Sequence, residues 1–146
     1  MLQNKKDKPY NVEGYIFTGR TNVPAGGVSA ITIQVASSFD FFAEKLSYVC
    51  STAVAGIIPR FDVQIQRDQT NMFQDYVPSY MLAGMGINTN APLEVLYPVG
   101  QANWFNLSKP FKFNASCNII ISIRNTCSQA IAVVFSLSGY KHVYAV

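Results

Sequence analysis

FKFNASCNIIISIRNTCSQAIAVVFSLSGYKHVY, residues 111–144, is the stretch on which the fold of this chain depends. It contains two arms in which large apolar residues alternate with smaller or more polar ones. The apolar positions are Ile119, Ile121 and Ile123 in the first arm, and Ile131, Val133, Phe135 and Leu137 in the second. A period of two with such residues is typical of a β-strand that buries one face. The short polar segment 125–129, NTCSQ, predicts that the arms fold back as a hairpin.

A hairpin on its own cannot bury two apolar faces, so further strands must cover it. Alternating patterns predict these strands at residues 30–36, AITIQVA, and 61–66, FDVQIQ. Residues 10–18 predict a first strand that is broken at Gly14, and residues 19–27, rich in Gly and Pro, predict a loop.

Residues 39–51, FDFFAEKLSYVCS, are compatible with two structures. Phe42, Leu46 and Val49 fit a helical stripe, whereas Phe42, Leu46, Tyr48 and Cys50 fit one face of a strand. The flanking serine and aromatic residues favour the strand.

The pattern loosens over residues 69–103, which contain three prolines and several glycines. Proline disfavours long central strands, so this segment predicts long loops with at most two short strands, one of them at 93–97. In total we expect six to eight strands without alternating helices, which defines an all-β antiparallel sandwich. A jelly roll is preferred over an immunoglobulin-like topology. Residues 1–9 are expected to form a flexible arm, and residues 10–146 a single domain.

Charged residues make up 13 % of the chain and aromatic residues another 13 %. The charged fraction is about half the usual ~25 %. Surfaces buried between subunits have this character, so the composition favours a homo-oligomer over a monomer with a neutral surface. The net charge of +3 is too small to predict a specific nucleic-acid site.

Three cysteines, Cys50, Cys117 and Cys127, cannot form a fully paired disulfide framework or a four-cysteine zinc site. Free thiols in a reducing compartment are expected. The N-terminal segment lacks an apolar signal region, and no apolar run is long enough for a membrane helix. We therefore expect synthesis in a cytoplasm, with no membrane partner.

The sequence offers little for catalysis. His142 is the only histidine, and no nucleophile or carboxylate near it in the sequence suggests a catalytic dyad. Asp62 is expected on a solvated strand face, while Asp68 and Asp75 are expected to shape turns. No glycine-rich phosphate loop or metal-ligand spacing is present. The chain is thus predicted to have no enzymatic activity, no cofactor and no metal site.

Large apolar side chains in the irregular middle of the chain are candidates for partner contacts, because loops normally lie at the surface. A second candidate group is the basic cluster of the arm. The candidate contact residues are Lys5, Lys6, Lys8, Tyr76, Tyr80, Met81, Met85, Tyr97, Trp104 and Phe105. Aromatic residues on sandwich loops are also suited to stacking on sugar rings, which gives the alternative of a glycan-binding module.

Several phrases of the chain resemble a known family across residues 28–144. They are FDVQI at 61–65, YVP at 76–78 with Gly84 after it, the segments 104–110 and 118–125, and VFSLSGYK at 134–141. Together they resemble small β-sandwich structural proteins of bacteriophage virions, which decorate or cement a capsid or occupy minor head positions. No single functional residue can be transferred from this resemblance, and residues 1–27 lie outside it.

The resemblance implies a virion protein without catalysis or cofactor. Such a protein acts by self-association and by docking on a capsid shell, with the major capsid protein or neck and tail components as partners. The alternative is a tail-associated receptor- or glycan-binding β-sandwich module.

Overall fold

The computed structural model of the protein describes residues 11–52, 59–82 and 104–144, together with the backbone of residues 84–88. The arm predicted at 1–9 and the strand predicted at 93–97 lie outside these residues. The described strands are β1 (Asn11–Val23), β2 (Val28–Gln34), β3 (Phe39–Thr52), β4 (Phe61–Arg67), β5 (Thr70–Asn71), β6 (Val77–Pro78), β7 (Gly84–Asn88), β8 (Phe105–Phe113), β9 (Asn118–Asn125) and β10 (Ile131–Val143). A single turn of 3-10 helix spans Ser79–Met81.

The strands form two sheets that pack face to face, so the predicted all-β sandwich is confirmed. The first sheet has the order β1-β10-β3, with β8 and β7 both pairing beyond β3. The second has the order β2-β9-β4, with β5 and β6 beyond β4. All of these pairings are antiparallel except that of β3 with β7, which is parallel. Consecutive strands from β1 to β4, and again from β8 to β10, alternate between the two sheets.

The prediction that the two arms of residues 111–144 form a hairpin is wrong. β9 pairs with β2 and β4, whereas β10 pairs with β1 and β3, so the arms lie in opposite sheets. Both arms do bury the predicted apolar rows. These rows face each other across the core, because two one-sided strands bury more apolar surface when they are stacked than when they lie side by side.

Asn125 organises the crossing between the two sheets. Its side chain is buried, and its Nδ2 donates to the carbonyl oxygens of Val23, Pro24 and Gln129 at 2.8–3.2 Å. Its Oδ1 accepts the N–H of Cys127 at 2.7 Å. One amide side chain thereby ties the turn after β1 to the segment between β9 and β10, where the Pro24 carbonyl also accepts the N–H of Gly27 at 2.9 Å.

The core lies between the sheets and is built mainly from aromatic and β-branched residues. Its largest fully buried side chains are Phe41, Phe61, Phe113, Phe135, Leu46, Ile65, Ile119, Ile121, Ile123 and Leu137. Each such side chain contributes about 1.5–3 kcal/mol when it leaves water. No helix in the described part of the chain has the length and apolar character to cross a membrane.

The strand predicted at 39–51 is confirmed as β3, but one residue lies on the other face. The pairing register shifts between Ala43 and Lys45, and again between Ser138 and Gly139 on the neighbouring strand. A bulge reverses the alternation of side chains. Phe42 therefore lies outside the core, whereas Leu46, Tyr48 and Cys50 lie inside it.

β1 is longer than predicted, because it passes through Gly14 and Gly19 without a break. A Cβ at Gly19 would overlap the side chain of Ile31 in β2, so glycine lets the two strands approach closely there. The loop predicted at 19–27 shrinks to a turn between Val23 and Val28, with Gly26 at a φ of 65°.

The middle of the chain contains more strand than predicted. Three short strands, β5, β6 and β7, are described between 69 and 103 where at most two were expected. Gln64, which alternates with Val63 and Ile65 and so shares the strand face predicted to be solvated with Asp62, is buried. Its side chain exchanges hydrogen bonds with the backbone N–H and C=O of Phe73, at 3.2 and 2.9 Å, and so replaces a strand pairing that this loop does not make.

Candidate interaction surfaces

The first candidate surface is formed by residues 79–82, which contain the 3-10 helix. We call it the 79–82 turn. Ser79 is buried, and its Oγ accepts the N–H of Phe61 at 3.2 Å while its carbonyl oxygen accepts the Tyr48 hydroxyl at 2.9 Å. Leu82 is also buried, and its N–H donates to the carbonyl of Ser79 at 3.0 Å. The turn is therefore fixed to the core at both ends.

Tyr80 and Met81 project from this turn into solvent. Their exposed fractions are 73 % and 62 %, the largest among the exposed large apolar residues of the described chain. A fixed turn holds such side chains in place before any partner arrives, which lowers the entropic cost of binding. Two of the predicted contact residues are thus adjacent and exposed.

The other predicted contact residues that the structure describes are less exposed than these two. Tyr76 is half-buried, and its ring lies beneath the guanidinium of Arg124 at 4.4 Å. Trp104, directly before β8, and Phe105, the first residue of β8, are half-buried, and Phe105 packs against the core. The basic residues Lys5, Lys6 and Lys8, the side chain of Met85, and Tyr97 lie outside the described residues.

A groove of about 350 Å³ opens beside β8. Its walls are mostly apolar and include Met72, Phe73, Phe105, Leu107 and Phe111, with Lys109 among them. The polar residues of its lining are Asn106, Ser108 and Lys109.

The second candidate surface is the β1–β2 edge, where each sheet ends in an outermost strand. Val12, Ile16 and Val28 are exposed there to 60 %, 55 % and 58 %. In the described part of the chain, β1 pairs only with β10, and β2 pairs only with β9. A row of backbone N–H and C=O groups on each strand therefore faces away from its sheet.

Sequence reasoning missed the β1–β2 edge because it looked for partner contacts in loops. The signal lay in residues 11–23, NVEGYIFTGRTNV, where apolar residues occupy both faces of the strand. A strand that is apolar on both faces and bears few charges either lies inside a sheet or meets another molecule.

Asp40 forms the main polar cluster on the outer face of the first sheet. Its carboxylate accepts the N–H of Ala115 at 2.8 Å and lies 3.6 Å from the ammonium of Lys112. Burial alone would raise the pKa of Asp40, but hydrogen bonds from Tyr144 and Ala115 and the charge of Lys112 outweigh it and lower the pKa below its usual 3.8. The carboxylate is therefore held in its charged form as part of the structure.

His142 lies beside this cluster on the same face. Its ring is 4.6 Å from Phe42 and 5.3 Å from Tyr140, and those two rings stack at 5.0 Å. Asp68 and Asp75 shape turns as expected, since their carboxylates accept the N–H groups of Asn118 and Tyr76. Among the described residues, no three His, Cys, Asp or Glu side chains come together in a way that could hold a metal.

Asp62 lies on the outward face of β4, as expected, and forms an ion pair with Arg124. The Arg124 Nη2 lies 2.7 Å from the Asp62 Oδ2. This pairing links β4 to β9 at the surface.

Comparison with known proteins gives no relative for this chain: no protein-family model, no curated protein and no solved structure matches it.

Proposed function

We propose that this protein is a non-enzymatic structural protein of a virus particle, a capsid decoration, cement or minor head protein. It would act by self-association and by docking on the capsid shell. The observation that carries the proposal is the outward placement of large apolar side chains on rigid elements, at the 79–82 turn and at the β1–β2 edge. Such surfaces suit permanent contacts better than solvent.

The strand order supports the same proposal by analogy of fold. Alternation of consecutive strands between the orders β1-β10-β3-β8 and β2-β9-β4 favours the jelly roll. In an immunoglobulin-like sandwich, by contrast, several consecutive strands pair within one sheet. Jelly rolls recur in viral capsid domains, although they also occur in lectins, so the fold alone does not decide the function.

The proposal also rests on the resemblance of the sequence to bacteriophage β-sandwich proteins. Its phrases at 61–65 and 118–125 fall on β4 and β9, which are neighbours in the second sheet. The phrase at 134–141 falls on β10, in the centre of the first sheet. The likeness thus follows the strands that build the sandwich and does not depend on a catalytic motif.

Density-gradient purification of particles from cells that express this gene tests the proposal. We expect the chain to co-purify with particles in many copies, and gold-labelled antibodies to mark the head in electron micrographs. Recovery of the chain only from the soluble fraction, with unlabelled particles, would contradict the proposal.

Add-back to particles produced without this gene tests the docking surface. The double variant Tyr80→Ser and Met81→Ser should bind such particles at least about tenfold more weakly, because two exposed apolar anchors are lost. Val49→Ser removes an exposed apolar side chain from the outer face of β3, which belongs to neither candidate surface, and serves as the control, with unchanged binding expected. Equal binding of the double variant and the wild type would remove the 79–82 turn from the contact.

The arm at residues 1–9 is a further proposed attachment element, and it lies outside the described residues. Deleting it should weaken attachment to the particle while leaving the melting temperature unchanged, since β1 begins at Asn11. Unaltered attachment would exclude the arm from docking.

A tail-associated receptor- or glycan-binding module is the second candidate. The exposed ring of Tyr80 favours it, because sugars stack on open aromatic faces. The nearly parallel rings of Phe42 and Tyr140 do not help, since their faces cover each other at an angle of 8°. Binding to a glycan array that is lost in Tyr80→Ser would favour this candidate over the shell protein.

A further inference from the structure

The edge strand β8 departs from its partner β3 halfway along its length. Ala43 pairs with Phe111, whereas Lys45 lies opposite Asn106. The four residues 107–110, LSKP, therefore stand opposite the single residue Glu44. An insertion of this kind bends a strand away from its partner. The bend coincides with the groove beside β8, which residues 105–109 and 111 line.

The groove lies between the two sheets and leaves part of the core accessible at this edge. One wall is β8 of the first sheet, and the other is the segment that follows β5 of the second sheet. The apolar side chains of both walls pack against the core: Met72, Phe73, Phe105, Leu107 and Phe111. A volume of about 350 Å³ falls within the range of small-molecule sites, about 300–1,000 Å³.

Hydrogen bonds and ring contacts hold the apolar walls in place. The N–H of Met72 donates to a carbonyl oxygen of β4 at 2.7 Å, and the side chain of Gln64 binds the backbone of Phe73. On the opposite wall, the Phe111 ring lies 5.0 Å from the ring of Phe113, which is fully buried. A site whose walls are fixed before a ligand arrives loses less entropy on binding.

The polar groups of the groove favour a negatively charged ligand. Asn106, Ser108 and Lys109 all carry hydrogen-bond donors, and no Asp or Glu of the described chain lines the groove. Among the described residues, the ammonium of Lys109 forms no ion pair with a carboxylate. The guanidinium of Arg67 lies 5.3 Å from the centre of the Phe111 ring and adds a second positive charge beside that wall. An acid group on a ligand would thus meet donors and positive charge without a competing carboxylate.

We propose that the groove beside β8 binds a small aromatic acid, with its ring between the apolar walls and its carboxylate or sulfonate group at Lys109. Three of the apolar wall residues are phenylalanines, which offer ring faces and edges to an aromatic ligand. The thioether of Met72 suits the same contact. This site does not depend on the proposed attachment to a particle, because it shares no residue with the 79–82 turn or the β1–β2 edge.

Titration of the ¹⁵N-labelled full chain with 2-naphthoate, followed by two-dimensional NMR, tests the site. We expect a dissociation constant of about 1 mM or lower, as is usual for a ligand of this size. The largest signal shifts should come from residues 72–73 and 105–111. Uncharged 2-naphthylmethanol and cationic 2-naphthylmethylamine carry the same ring. They should bind at least about tenfold more weakly, because they lack the negative charge that Lys109 would meet.

Lys109→Glu tests the role of the charge. It should weaken the binding of 2-naphthoate at least about tenfold and shift the preference to the cationic amine. A misfolded groove would not gain a ligand in this way. Arg20→Glu makes the same change in net charge at an exposed residue of β1, at the other end of the first sheet. It is the matched control and should bind 2-naphthoate like the wild type. The NMR spectrum of each variant verifies that it is folded.

Four results would overturn the proposed site: no binding of 2-naphthoate up to about 5 mM, largest shifts outside residues 72–73 and 105–111, equal affinity for the three naphthalene ligands, or equal effects of Lys109→Glu and Arg20→Glu. Octanoate carries the same acid group on an aliphatic chain and should bind more weakly than 2-naphthoate. Tighter binding of octanoate would overturn the aromatic class of the ligand.

Discussion

Gly139 of β10 lies directly against the carbonyl group of Phe42 in β3, at the point where the register of the two strands shifts. A Cβ at position 139 would overlap the Phe42 carbonyl oxygen and lie 2.9 Å from its carbonyl carbon. The bulge therefore depends on the absence of a side chain at this residue.

Gly139→Ala is expected to lower the free energy of unfolding by about 2 kcal/mol or more, because the clash is with backbone that cannot rotate away. Urea unfolding followed by circular dichroism measures the change. Gly14→Ala is the matched control, since a Cβ there meets nothing within 4 Å. It should leave stability within about 1 kcal/mol of the wild type. Equal effects of the two substitutions would refute the close approach.

Asn125→Ala should destabilise the protein by about 2–3 kcal/mol. The substitution leaves the carbonyl oxygens of Val23, Pro24 and Gln129 without the side-chain donor that they share. Asn118→Ala, at the exposed start of the same strand, is the control and should change little. Chemical denaturation measures the free energy of unfolding of both variants. A small loss in Asn125→Ala would show that the crossing between sheets does not need this side chain.

The positions of the strands could be predicted from the sequence much better than the pairing of the strands with each other. The period of two at residues 119–123 and 131–137 reports only that one face of each strand is buried. It is equally compatible with strands side by side and with strands stacked across a core, which is why the predicted hairpin was wrong. The turn residues 125–129 contain no glycine that would mark a tight two-residue hairpin.

The candidate site could be predicted only in part, for a similar reason. Tyr80 and Met81 were expected at the surface because they lie in an irregular segment. Ile16 and Val28 were not, because their exposure depends on β1 and β2 being outermost in their sheets. Strand order is a property of the whole fold, and local periodicity carries no information on it.

The stability of the protein should fall in acid partly through Asp40. Its pKa is lower in the folded protein than the ordinary 3.8, since the hydrogen bonds of Tyr144 and Ala115 and the charge of Lys112 outweigh the effect of burial. A lowered pKa stabilises the folded state above the ordinary value, and this contribution is lost as the pH falls through the folded pKa.

Asp40→Asn should therefore cost about 1–2 kcal/mol at pH 7, and the difference from the wild type should shrink below about pH 4. Unfolding curves recorded between pH 2.5 and pH 7, a range that includes the ordinary carboxyl pKa of 3.8, measure both effects. Glu13→Gln removes a more exposed carboxylate that lies 3.4 Å from Lys141, and it should show little change. A difference between Asp40→Asn and the wild type that is constant over this pH range would contradict the role assigned to the charge.

The three thiols should react with a disulfide reagent at very different rates in the folded protein. Burial raises the pKa of Cys50 to about 12 and that of Cys117 to about 11, so almost no thiolate is present at neutral pH. Cys127 is only half-buried, in the crossing beside Arg60, whose N–H it accepts at 3.0 Å. We expect one thiol per chain to react fast, and this fast reaction to disappear in Cys127→Ser. The other two thiols should react only when the protein unfolds. Three equal rates in the native protein would show that the two sheets do not enclose Cys50 and Cys117.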